Sequence, residues 1–575
     1  MAEQEKVQFD YIVVGGGTAG CIVASRLSSN PELRVALIEA GEDTPPDHTD
    51  EVIWDSYPIV AYFDPRHHWG DLRVFYGNSP EGDGRTPGTL RYEQAKVMGG
   101  GSSINGMMAN RGAPADYDGW AAQGADGWSW ERVLPYFRAL ERDLDFDTDQ
   151  HGNDGPIPIR RVPESDWPEF SRVATRALAR AGFARLDDQN TAEFAPGYFP
   201  ITINNAADRR VSTAAGYLSA EVRARPNLTI LADTEVLRLT TDGPRVTGVE
   251  TRATVSAQPA TLRAGEVVVC AGAIHTPALL LKSGIGPSAE LAELGIDIVT
   301  VSPGVGKNLQ EHPQIAVTAL LASEGRQPWE LRRHIFAGFR YSSGVEGCDE
   351  LDMYGVVVNR GGWHSLGQKL GGFLIWVNRS YSTGQVSLVS SDPSAEPRVE
   401  FAFLSDERDL LRLTDGLERL AAIFADPEMQ AATVYPFATS YTEKSRDLAV
   451  VSPENETVLA PVSERLDDPA IDPGAVMSSE VASGPELFAL VQDPKALAEF
   501  VRTRAHGTWH CCGTCRMGSE DDPLAVTDPS GRVYGIEGLR IADASLMPAV
   551  PRANTNVPVM MIGEKIAATI LTERH

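Results

Sequence analysis

The chain is poor in cysteine, in basic relative to acidic residues, and in long apolar runs, and each shortage closes off a class of protein. Six cysteines, Cys21, Cys270, Cys348, Cys511, Cys512 and Cys515, are scattered over 575 residues. That is too sparse for a disulfide scaffold and agrees with a reducing compartment. A net charge of −28 repels nucleic acid and anionic membrane, so neither is expected as a partner. Apolar stretches such as Val267 to Ile274 fall far short of the ~20 residues that cross a bilayer. Gly 53 and Pro 38 stay below the share, roughly 25%, at which low complexity begins. Met1-Ala-Glu-Gln-Glu-Lys6 is charged and leaves no room for an apolar leader, which reads as a cytoplasmic protein. At about 150 residues per domain the length admits about four domains, or two large ones.

What is present begins with Phe9-Asp-Tyr-Ile-Val-Val14, β-branched and aromatic, which delivers the chain into Gly15-Gly16-Gly17-Thr18-Ala19-Gly20 and a helical run from Cys21 to Leu27. In such a strand, turn and helix, Gly15 permits the turn, Gly17 admits a pyrophosphate to the backbone, and Gly20 lets helix and strand pack closely. The helix N-terminus, with Thr18 and Ala19, faces the phosphates. A second strand, Arg34 to Glu39, ends in a carboxylate followed by Ala40, at the spacing that suits a ribose hydroxyl. Dinucleotide binding follows, without separating NAD from FAD. Gly284-Ile-Gly286 and Gly304-Val-Gly306 lack the flanking elements, which argues against a second such site.

Longer blocks narrow the reading. Ala95 to Gly106, containing Gly99-Gly100-Gly101-Ser102-Ser103-Ile104-Asn105, resembles the first signature of the glucose-methanol-choline (GMC) oxidoreductases, flavoproteins that oxidise alcohols. Gly272 to Pro287, Gly304 to His312 and the last sixty-odd residues resemble later blocks of that family. Asn110-Arg-Gly-Ala-Pro, Trp376-Val-Asn378 and Ala553-Asn-Thr-Asn556 resemble its bacterial 5-hydroxymethylfurfural oxidase branch, which acts on aryl and furanic alcohols. The resemblance implies an α/β fold, α+β overall, in which a Rossmann-like FAD domain (1–157, 206–312 and 527–575) interleaves with a substrate domain (158–205 and 313–526). The substrate domain is expected as an antiparallel sheet backed by helices.

The same resemblance implies FAD contacts from Val97, Gly100, Gly101, Ser102, Asn105, Gly106 and Met107 in the glycine-serine loop. It adds Val236 and Ala271 mid-chain, Trp509, and Asp543, Ala544, Asn554, Thr555 and Asn556 near the end. Some relatives carry a flavin-linked histidine at the Ile104 position; isoleucine cannot make that bond, so FAD is expected to be non-covalent.

Alcohol oxidation by a flavin removes a hydride from carbon and a proton from oxygen, so a base is needed within reach of the hydroxyl. Among eleven histidines, His510 matches the family's catalytic position and Asn554 that of its oxygen-orienting partner. His506 is the nearest rival, and His275 and His312 are expected in structural hydrogen bonds. Asn556 reads as the N-cap of a terminal helix with Pro558 in its first turn, a positive end that would stabilise charge arriving on the flavin. Cys512-Gly-Thr-Cys515 is formally a metal or redox motif, but it has no second pair, so small packed residues and no metal are expected.

Phe373 to Val377 and Gln385 to Val389 read as antiparallel strands joined across Ser380 to Gly384. Arg398 to Phe403 reads as a further strand. Ser405 then caps a helix carrying Leu410, Leu413, Leu417, Leu420 and Ile423 at helical spacing. Val377 and Trp509 are the expected substrate-pocket walls. Val451 to Pro485 exceeds its counterpart in the family, as a lid, a subunit contact or a tolerated loop. The function expected is FAD-dependent oxidation of primary alcohols with O2 as acceptor and hydrogen peroxide as product, by a monomer or homodimer acting on a small-molecule alcohol. A quinone-dependent dehydrogenase, a non-redox hydroxynitrile lyase and a non-catalytic flavin-binding module are the alternatives.

Overall fold

The computed structural model describes residues 8–77, 88–439, 441–481 and 484–574. The charged stretch Met1 to Lys6, from which the compartment was argued, lies outside them. Among the described residues no helix is long and apolar enough to cross a membrane.

Two large sheets organise the chain. The first has seven strands in the order Leu228–Leu231, Val35–Ile38, Phe9–Val14, Pro259–Val269, Arg245–Ala253 and Thr234–Asp242, with Leu539–Ile541 also paired to Pro259–Val269. Phe9–Val14 is parallel to its two neighbours, and the last three strands of the row are antiparallel. Ile12, Val13, Leu37 and Val268 are fully buried, as expected where helices cover each face of a parallel sheet. One cover is Thr18–Leu27 and another is Asn556–Glu573. These two helices touch closely enough that a Cβ on Gly563 would stand 3.3 Å from Ala19.

The second sheet is antiparallel: Thr433–Thr439, Gln314–Leu321, Leu370–Val377, Met353–Val358, Ile335–Tyr341 and Gly197–Pro200. One face packs on the helix Glu407–Phe424, where Leu410, Leu413, Leu417, Leu420 and Ile423 join Val317, Phe373, Ile375 and Val377 in a single core. The other face is turned to the cavity described below. A small mixed sheet pairs Arg73–Phe75 with Arg398–Glu400 and so ties early and late chain together.

Three local expectations are corrected. Leu370–Val377 and Gln385–Ser387 do not pair with each other; the first lies mid-sheet and the second pairs with Arg398–Glu400. Their connection is drawn away by Asp409, whose carboxylate accepts from the main-chain N–H groups of Tyr381 (3.1 Å) and Ser382 (2.8 Å) and from the Ser380 hydroxyl (3.2 Å). The cap of Glu407–Phe424 is Asp406, which accepts from Arg408 N, rather than Ser405. The terminal helix begins at Asn556 itself, with Thr555 preceding it, so Asn556 is not the cap; its side chain is engaged elsewhere.

The stretch 451–485 is helical over Pro453–Arg465 and Pro473–Val476 and continues into the wider turn Met477–Val481. Cys511, Cys512 and Cys515 are buried with free thiols. Burial pushes the Cys511 thiol up to about 12, which keeps it protonated and unreactive at neutral pH.

Candidate active site

A cavity of about 700 Å³ lies between the two sheets. The segment that crosses its floor is a ladder with a gap. Gln310 and Cys512 exchange main-chain hydrogen bonds of 3.0 Å each, and Gln314 and His506 exchange bonds of 2.8 and 3.2 Å. Between these rungs the chain bulges on each side. One bulge carries Glu311 and His312, the other Thr508, Trp509 and His510. Trp509 sits at φ 61°, and its indole N–H is anchored to Glu93 Oε2 at 3.1 Å. Glu93 also accepts from Arg446 Nε (2.8 Å), Tyr62 (3.1 Å) and Tyr441, which fixes the aromatic wall beside His510.

Glu311 is buried and accepts from four groups: the main-chain N–H of His510 (2.7 Å), that of His312 (2.8 Å), Tyr92 Oη (2.9 Å) and Thr508 Oγ1 (2.9 Å). Burial raises its pKa while these donors pull it down. Since the Thr508 proton is given to Glu311, Thr508 Oγ1 accepts from His510 Nδ1 at 2.7 Å. His312 Nδ1 lies 3.0 Å from the same nitrogen. With the proton placed on Nδ1, this network is satisfied and the lone pair is on Nε2. Nε2 faces the cavity side chain of Asn554, whose Nδ2 donates to it at 2.8 Å. Asn554 Oδ1 is buried without a hydrogen-bond partner, an acceptor left open at the cavity wall. Burial alone pushes His510 down to about 3, so it is neutral at ordinary pH.

The residues expected around a dinucleotide converge on the same cavity. Gly15, Gly17, Thr18, Ala19, Glu39 and Ala40 line it from the first turn, and Gly100, Gly101, Asn105 and Gly106 from the glycine-serine loop. Val236, Ala271, Trp509, Asp543, Ala544, Asn554, Thr555 and Asn556 complete that wall. Gly20, Val97, Ser102 and Met107 do not line it. Gly20 is where the first helix meets the turn: a Cβ there would stand 1.9 Å from Gly15 O. Val97 packs in a small apolar cluster with Ile104. Ser102 hydrogen-bonds Gly99 O and Thr213, and Met107 yields its place to Met108.

Val377 is not a pocket wall either. It is fully buried in the core behind the sheet, because side chains alternate along a strand and the cavity face of Leu370–Val377 carries Trp376 instead. His506 lines the cavity, bonded to Gln314 Nε2 at 2.8 Å, and burial lowers it to about 4. His275 is held by Glu396 at 3.1 Å. Glu311 and Thr508 were not picked out from sequence. Their only signal is an acid beside His312 and a hydroxyl two residues before His510.

The walls suit FAD. A Cβ on Gly17 would have nothing nearer than 3.9 Å and one on Gly101 nothing within 4 Å, so the backbone is open to a ligand there. Thr18–Leu27 and Asn556–Glu573 each start at the cavity without a side-chain cap. Their N-terminal N–H groups and dipoles are therefore available to anionic groups. The two starts are joined by Thr18 Oγ1 donating to Asn556 Oδ1 at 3.0 Å, while Asn556 Nδ2 is buried and unpartnered. Glu39 accepts from Gly16 N and Gly41 N at 2.8 Å each, and burial lifts it to about 7.

Comparison with known proteins agrees. The N-terminal profile of the GMC oxidoreductases matches residues 9–314 and the C-terminal profile residues 380–563. The chain belongs to the GMC oxidoreductase family. It is 42% identical to 5-(hydroxymethyl)furfural oxidase of Methylovorus sp. (strain MP688), over 98% of this chain and 99% of that one. It is 31% identical to oxygen-dependent choline dehydrogenase of Paraburkholderia xenovorans (strain LB400), over 98% and 94%. Among solved structures, pyridoxine 4-oxidase from Mesorbium loti superposes with a TM-score of 0.80 at 26% identity, covering 99% of this chain and 100% of that one. As a GMC member the protein is an FAD-dependent enzyme of alcohol oxidation.

Proposed function

We propose that this enzyme oxidises ring-attached primary alcohols, furanic and aryl, to aldehydes and, through the hydrated aldehydes, onward to acids, with O2 as the electron acceptor and hydrogen peroxide as product. The observation that carries the reading is the placement of His510, with Nδ1 2.7 Å from Thr508 Oγ1 and Nε2 at the cavity 2.8 Å from Asn554; we assign its proton to Nδ1 and the lone pair to Nε2. A substrate hydroxyl that takes the place of Asn554 Nδ2 at Nε2 gives its proton there, and the released Nδ2 donates to the oxygen as it becomes alkoxide-like. Thr508 and Glu311 keep the imidazole in this tautomer and receive the favourable hydrogen bond when it becomes charged. Bound FAD supplies the acceptor for the hydride that leaves carbon. Trp376, its ring 6.4 Å from that of His510 and stacked on Tyr354 at 4.7 Å, and Trp509 give the flat walls a ring substrate needs. The name and 42% identity of the furfural oxidase relative support the substrate class.

FAD is held without a covalent link at the glycine-serine loop, since the side chain that lines the cavity there is the alkyl group of Ile104. Acid precipitation should release all flavin into the supernatant. The oxidase reading is tested by coupling peroxide detection to a panel of furanic, aryl, sugar and aliphatic alcohols. One peroxide per aldehyde and two per acid, with ring alcohols preferred, is expected. Reduced enzyme that air fails to reoxidise would instead indicate a dehydrogenase with another acceptor.

A further inference from the structure

The cavity continues well past His510, along the face of the antiparallel sheet. Trp376, Leu374, Gly372 and Leu370 line it in turn. At about 3.3 Å per strand residue, the floor from Trp376 to Leu370 is about 20 Å long, far more than a single ring occupies. The far end is apolar. Leu366, Leu370 and Phe437 on the sheet side meet Leu459, Met477 and Val481, contributed by the 451–485 stretch, in a cluster separate from the two main cores. The part of that stretch from Pro453 to Val481 is thus a roof over the cavity. Polar groups reach it from Thr318, Thr439, Ser445, His334, His364 and Arg360. His364 Nδ1 accepts from Gly367 N at 3.0 Å. The Arg360 guanidinium packs against the rings of Trp329 (4.4 Å) and Trp363 (4.0 Å) and donates to Gln327 O at 2.9 Å, with Nε and Nη1 unpartnered.

We propose that this chamber is a tail subsite: the preferred substrates are ring-attached primary alcohols that carry an extended apolar substituent opposite the hydroxymethyl group. The inference rests on the alcohol-oxidase reading and adds to it what lies beyond the ring. A chamber continuous with the catalytic pocket and walled by leucine, methionine, valine and phenylalanine recognises alkyl or aryl surface through its removal from water.

The test is a series of para-alkyl benzyl alcohols, from methyl to octyl, on the FAD-loaded enzyme. Complete transfer of a methylene from water corresponds to about a fourfold gain. The expectation is that kcat/KM rises about two- to fourfold per carbon until the chamber is full. Leu459→Trp and Ala449→Phe, which fill the chamber from two different helices, should each abolish the rise. Each should leave the para-methyl substrate within about twofold of wild type. Flavin content and the unfolding midpoint of each variant establish that it is folded. A flat series in the wild-type enzyme, or a rise that survives in both folded variants, would overturn the subsite. So would a larger gain from tails ending in carboxylate than from alkyl tails, which would assign the chamber to anion binding at Arg360. If short and long alcohols alike fail to reduce the flavin, the alcohol-oxidase reading fails and the tail subsite falls with it.

Discussion

At the scale of single residues the account turns on one lone pair. His510→Ala should lower kcat by about 10²- to 10⁴-fold, the usual contribution of a positioned base, with FAD content unchanged in the purified protein. Thr508→Val removes the oxygen that fixes the Nδ1 proton. The expectation is a fall of about tenfold or more in kcat, together with a displaced pH profile, and recovery of both in Thr508→Ser. A purely structural role for Thr508 would leave the profile of Thr508→Val unmoved. Because burial holds His510 near 3, the acid limb of kcat/KM in the wild-type enzyme should lie well below the usual histidine range near 6.5. The same shift sets a stability trend. Between about pH 3 and 6.5 the unfolded chain binds a proton at His510 that the folded chain does not. Stability from this group is therefore lost as pH falls through that window. His151 has the opposite sign: burial disfavours its charge, but Asp143, Asp188 and Glu141 outweigh that and raise it to about 10. Its contribution is full below 6.5 and is lost as pH rises toward 10. Urea midpoints of wild type and His151→Ala across pH 6 to 11 should converge at the alkaline end.

At the scale of elements, what was legible in the sequence was local. The glycine turn and its helix, the Leu410 to Ile423 stripe and the start of the terminal helix near Asn556 each announce themselves within about twenty residues, where backbone rules and periodicity operate. The gapped ladder does not, because its two sides, at Gln310 to Gln314 and His506 to Cys512, are almost two hundred residues apart, as the His312 and His510 pair shows with a separation of 198. Thr508 and Glu311 become meaningful only once those strands meet. Val377 failed as a pocket wall for a similarly physical reason. Periodicity says that Trp376 and Val377 face opposite sides, but only the position of Glu407–Phe424 says which side is core. Leu413, fully buried under that sheet, offers a check: Leu413→Ala should cost about 2 to 5 kcal/mol in chemical denaturation while leaving KM for a ring alcohol within about twofold.

At the scale of the whole molecule, length had allowed about four domains, and the structure shows two principal cores, one around each large sheet. The cavity lies between them and its walls come from each, so FAD should stabilise the pair jointly. Removing the flavin should lower the unfolding midpoint, and adding it back should restore it in a concentration-dependent way. The charge of −28 acts at this scale too: kcat/KM for a ring alcohol bearing a carboxylate should rise with ionic strength, while that for its neutral counterpart stays level. The most direct test of the central claim is anaerobic stopped-flow reduction of the bound flavin by 5-hydroxymethylfurfural or benzyl alcohol. Wild-type flavin is predicted to bleach in a single turnover, and flavin in His510→Ala to bleach at least about a hundredfold more slowly at equal occupancy. Equal rates in the two proteins would contradict the account.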